Sequence, residues 1–156
     1  MRADKWRSDH RFDRRPGGAR LIVTDTAPHS GGDAVTVAKL SDHILVPVQP
    51  SYPEIAAITR TLEIAEMTRT PATIILNLAL VNHGSIKDAL AVIKTTGVPA
   101  APVTIHRRRA HVTSFNAGMC ATEHESDGKA AGELQALFAW LQASEIVPRT
   151  RKGKAA

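Results

Sequence analysis

The sequence predicts an α/β fold built on a doubly wound, mostly parallel sheet, and three observations predict it. Short, nearly continuous apolar runs recur along the chain, segments with helical spacing of apolar residues lie between them, and Gly, Pro and Ser mark the joints. Strands that are apolar on both faces must be covered on both faces, and alternation with helices is how a parallel sheet achieves that.

Each element follows in order. LIVTD (Leu21–Asp25) is an apolar run after Gly17-Gly18 and reads as a buried strand. Asp33–Leu40 places Ala34, Val35, Val37, Ala38 and Leu40 on a short helix. HILVPV (His43–Val48) is a second strand, closed by Pro50. Tyr52–Met67 carries Ile55, Ile58, Leu62 and Ile64 at helical spacing, with Pro53 and Glu54 suited to a first turn. ATIILNLAL (Ala72–Leu80) is a third strand. Ser85–Thr95 is a helix with Ser85 as its N-cap and Gly97 just past its end. Val98–Ile105 is a fourth strand, Arg107–Ala117 a helix stopped by Gly118, and Lys129–Leu141 an amphipathic helix through Leu134, Leu137, Phe138 and Leu141. The domain is expected over 19–143, between a basic, disordered leader at 1–18 and a basic tail at 144–156.

Composition excludes several classes. The 156 residues suffice for one domain with a real core. No apolar run is long enough for a membrane helix, and the polar, Asp-containing start resembles neither a secretory signal nor a transit peptide. A single cysteine, Cys120, forms no internal disulfide and fits a reducing cytoplasm. The net charge of +5 is unevenly placed. Residues 1–20 hold seven Lys/Arg against three Asp, and residues 149–156 hold four Lys/Arg and no acid. The body between them is mildly acidic. Basic ends attract polyanions weakly or are simply solvated.

In doubly wound sheets chemistry sits beyond the carboxyl ends of the strands. That rule singles out Asp25–Gly32, Gln49–Glu54, Asn77–Gly84 and Ile105–His111. Asp25 ends an apolar run, where a carboxylate holds magnesium, directly or through water, or else caps a turn. His106-Arg107-Arg108-Arg109-Ala110-His111 puts three arginines at a strand-to-helix corner. They suit bidentate, sequence-blind contact with duplex phosphates, or a solvated cluster paired with Glu123, Glu125 or Asp127. Aromatic interleaving is absent there, so base stacking is not indicated. The seven histidines show no metal-ligand spacing, and Ser30 has no evident base. His29 beside Asp25 reads as a loop residue.

At this point the residues carry a resemblance. LIVTDTAPHSGG followed by SDHILVPVQP resembles the middle of a ParA/MinD-type partition ATPase, whose switch motif D-T-P/A-P follows a hydrophobic strand. TIILNLA matches that family's "-LN-" strand end, and VPAAPVTIHRRRA with GKAAGEL resembles its last strand, basic segment and terminal helix. The match runs from about Ala19 to Leu141, with the landmarks in order. No single motif is specific, but the series is. The resemblance implies a P-loop NTPase-like fold and a cytoplasmic, nucleoid-associated function in plasmid partitioning or chromosome segregation. It implies ATP and Mg2+ as cofactors, with Asp25 as catalytic and magnesium-managing residue, Asn77 and Pro102 as nucleotide-binding residues, and Arg107, Arg108 and Arg109 as contacts to non-specific DNA. Its implied partners are a second ParA-type chain and a centromere-binding ParB-like protein, with no membrane.

The departure is as informative as the match. The family's phosphate cradle, K-G-G-x-G-K-S/T, supplies backbone amides, lysine charge and a magnesium-binding hydroxyl. This sequence contains no G-x-x-x-x-G-K-S/T. Lys94-Thr95-Thr96 echoes it, but at the carboxyl end of a helix, where carbonyls face outward and repel phosphate. The expectation is therefore a truncated member without the P-loop strand, not hydrolytic by itself, with an apolar strand edge left open to another chain. The rival is a non-enzymatic module that binds DNA or pairs with a full-length relative. A receiver or flavodoxin type fits less well, since arginines follow Val98–Ile105 and the acidic pair of a receiver is missing.

Overall fold

The computed structural model describes residues 21–25, 31–81 and 84–148. The leader at 1–18, the loop with His29 and Ser30, and the tail from 149 onward lie outside the described residues. The fold is mixed α/β with a small parallel sheet. In order come α1 (Gly31–Leu40), β1 (Ile44–Val48), α2 (Tyr52–Ala57), α3 (Thr59–Thr68), β2 (Ala72–Leu76), α4 (Ser85–Thr95), α5 (Arg109–Asn116), α6 (Ala121–His124) and α7 (Lys129–Ala143).

β1 and β2 pair in parallel, Ile44 against Ala72 through Val48 against Leu76. A third segment, Pro99–Arg107, runs alongside β2 in two separate patches. Ile74 donates to Pro99 O (2.9 Å) and accepts from Ala101 N–H (2.8 Å), and Arg107 N–H donates to Ala79 O (2.8 Å). Between the bridges Ile74 to Ala100 and Ala79 to His106, Ile105 N–H donates to Leu76 O (2.9 Å), so the third segment takes four steps from Ala101 to Ile105 against two from Ile74 to Leu76 and bulges there, while the turn at Leu78 adds one residue on the other side. Pro102, which has no N–H to give the ladder, lies exposed in that bulge. The fourth strand expected over Val98–Ile105 is thus present as a broken ladder.

The sheet buries side chains on both faces. Val46, Val48, Ile74 and Leu76 pack with Ile55, Ile58, Ala89 and Ile93 from the helices on one side. Ile75, Ala101 and Ile105 pack with Leu134, Leu137 and Trp140 of α7 on the other. Period-two alternation along β2 sends Ile74 and Ile75 to opposite clusters.

Local chemistry explains most element boundaries. The helix expected over Tyr52–Met67 divides at Ile58, which stays near helical geometry (φ −78, ψ −8), while Thr59 Oγ1 donates to Ala56 O (2.9 Å). Arg69 in the left-handed region (φ 57) ends α3 before Pro71. Thr70 Oγ1 then donates to Ala38 O (2.9 Å), tying the end of α1 to this turn. α4 matches its expected span, but its N-cap is Gly84 without a side-chain bond, so Ser85 lies inside the helix. Gly97 follows with φ +75, which suits a glycine.

One element departs outright. Leu21–Asp25, expected as a buried strand, has no regular structure and is exposed, Val23 by 83%. The physical reason is the missing neighbour: an apolar run becomes a strand only where a sheet edge pairs its backbone.

Candidate nucleic-acid interface

Because the strands are parallel, their carboxyl ends gather at one end of the sheet. There Asn77 follows β2 and donates its backbone N–H to Val48 O (2.8 Å), and its side chain is half-buried. Leu78 takes a left-handed φ of 53, and Ala79 returns to the ladder against His106. This kink brings the end of β2 beside the arginine segment. Asn77 and Arg107–Arg109 therefore share the same end of the sheet.

The arginines do not act alike. Arg108 donates from Nε to Glu133 Oε1 (3.0 Å) and is half-buried. The same carboxylate accepts the backbone N–H of His106 at Oε2 (3.0 Å) and the His106 ring at Oε1 (2.8 Å from Nδ1). Partial burial alone would push the Glu133 carboxyl up. The hydrogen bonds from Arg108 and from His106, with the attraction of the guanidinium, instead hold it down at about 2. An ionised carboxylate only accepts, so Nδ1 of His106 carries the proton. Arg107 and Arg109 flank this clamp, are exposed, and make no ion pair among the described residues. Two exposed guanidinium groups thus flank a third that is spent on Glu133 of α7.

Neither Glu123, Glu125 nor Asp127 is the partner of this cluster. Glu133, in the second turn of α7, takes that part. No local spacing reveals it, since it lies 27 residues from His106 and the contact depends on how α7 packs across Ile105. The sequence also gave no sign that Phe115, on α5 just beyond the arginines, is 81% exposed.

The remaining site residues, Asp25 and Pro102, make no hydrogen bond or ion pair with Asn77 or the arginines among the described residues. Asp25 is exposed at the end of the irregular Leu21–Asp25 segment. Pro102 lies in the bulge, away from the ladder. Among the described residues no group of His, Cys, Asp or Glu could hold a metal ion. Thr95 Oγ1 donates to Val92 O (2.7 Å) and Thr96 Oγ1 to Ile93 O (2.8 Å), so the Lys94-Thr95-Thr96 hydroxyls serve the end of α4. These donors do not fit a magnesium–triphosphate site. Among the described residues no helix is long and apolar enough to cross a membrane. The chain matches no protein-family model and no curated protein sequence.

Proposed function

We infer that the chain is a ParA/MinD-like, doubly wound domain that acts as a DNA-contacting module of the partition type rather than as a hydrolase. The observation that carries this reading is the exposure of Arg107 and Arg109 beside an Arg108 anchored by Glu133. Exposed, unpaired guanidinium groups on a rigid corner bind backbone phosphates without reading bases. The ordered landmarks from LIVTD to GKAAGEL are what support the family reading. The parallel pairing, with packed side chains on both faces of the sheet, agrees with that frame. The family's ATP and Mg2+ would need a phosphate cradle from elsewhere, because the described residues offer none. Partners of this reading are non-specific DNA, a ParA-type chain and a ParB-like centromere-binding protein.

The test is duplex binding as a function of salt, with and without Mg-ATP. Affinity should fall linearly with salt on logarithmic axes and ignore ATP. Arg107→Ala and Arg109→Ala should each lower the slope by roughly one ion, equally on unrelated sequences. A strict ATP requirement would favour the intact partition-ATPase reading. Duplex binding that is unchanged in the double variant would remove this surface from the account.

A further inference from the structure

The same chain carries two halves of an unmade strand pairing. The first is an edge. Among the described residues β1 has a strand neighbour on one side only. Ile44 N–H donates to Pro71 O and Val48 O accepts from Asn77 N–H, both at 2.8 Å, so the even-numbered residues spend their backbone groups on β2. Alternation turns the N–H and C=O of Leu45, and the C=O of Pro47, to the open side. Leu45 is itself 39% exposed. Pro47 is tolerated because its missing N–H falls on an edge.

The second half is an extended-prone apolar segment with no sheet to join among the described residues. Leu21–Asp25 has the same five-residue length as β1 and carries β-branched Ile22, Val23 and Thr24. Leu21, Ile22 and Val23 are 44%, 48% and 83% exposed and pair with no strand among the described residues.

We propose that Leu21–Asp25 of one copy adds to the open β1 edge of a second copy, reciprocally, giving a two-fold dimer by strand addition. The occupant is a second copy because every copy holds both the unpaired strand and the unpaired edge, so one reciprocal exchange satisfies both. Reciprocity also closes the assembly at two chains instead of propagating a fibre. The exchange needs no nucleotide and is independent of the DNA reading. Leu45 N–H and C=O and Pro47 C=O provide the ladder, and burial of Leu21, Ile22 and Val23 provides the driving force.

The experiment is sedimentation of the full chain over a range of concentrations, without ATP. Two variants accompany it: Val23→Lys, which charges the donor strand at an exposed position, and Leu45→Pro, which removes the outward N–H of the acceptor. The wild type should shift from monomer to dimer with concentration. Each variant alone should stay monomeric, and an equimolar mixture of the two should recover a dimer, since one intact donor then meets one intact edge. A wild type that remains monomeric throughout overturns the proposal, as does a Val23→Lys chain that still dimerises. Hydrogen exchange supplies a second readout. Slow exchange at Leu45 should appear only with dimer; protection already present in the monomer would mean that the chain closes its own edge, and the proposal fails.

Discussion

Glu133 is the residue on which the carboxyl end of the sheet depends. Its depressed pKa contributes stability that is complete above its ordinary 4.5 and is lost as pH falls toward about 2. His43 acts in a higher window. Burial lowers its imidazole from 6.5 while Nε2 bonds Thr73 Oγ1 at 2.9 Å, so protonation opposes folding and stability drops once pH passes below that value. Thermal denaturation followed across both windows should show two successive losses. Glu133→Gln should shrink the more acidic one, leaving the part due to Glu123, which the Cys120 N–H holds below its ordinary value, and leave the first unchanged; an acidic loss of full size in the variant would contradict this assignment. The arginine run was legible in the sequence as a charged corner, whereas its division into one anchored and two free side chains was not. That division depends on a contact between distant segments, which neither charge counting nor local spacing encodes.

At the scale of elements, legibility followed how locally each one is determined. The span of α4 is legible because its apolar spacing and the Gly97 just past its end are local signals, although its N-cap is Gly84 and not the expected Ser85. Leu21–Asp25 was misread as a buried strand because its fate depends on a neighbour and not on its own composition. The kink after β2 was invisible for a related reason: nothing in Asn77-Leu78-Ala79 announces a left-handed leucine. A left-handed backbone costs a non-glycine residue about 1–2 kcal/mol, and more when the side chain branches at Cβ. Leu78→Val should therefore destabilise the chain by more than about 1 kcal/mol, and Leu78→Gly should be neutral or stabilising. Denaturant titration decides between them; equal effects of the two would show that φ at this position is not what matters.

For the molecule as a whole, two separate clusters sandwich very few strands; the mixed α/β class is legible in the alternation of apolar runs and helical segments, whereas the sheet holds two regular strands where the sequence suggests four. Ile93, almost fully buried, holds α4 against Val46, Val48, Ile74 and Leu76. Ile93→Ala should cost about 2–5 kcal/mol, which at this size lowers the melting temperature by roughly 10 °C. Ile105→Ala loosens the opposite cluster, so calorimetry of the double variant should give losses that add to within about 0.5 kcal/mol. Marked non-additivity would mean that the two faces behave as one core.

The bulge between the Ala100 and His106 bridges also gives the sheet a direction of growth. Beyond the third segment, a newcomer would meet a path that has slipped out of step and a proline at the slip. Beyond β1 it would meet an uninterrupted register. Among the described residues the sheet is therefore interrupted on one flank and regular on the other, so a strand that lengthens it in register would enter from the side of Leu45.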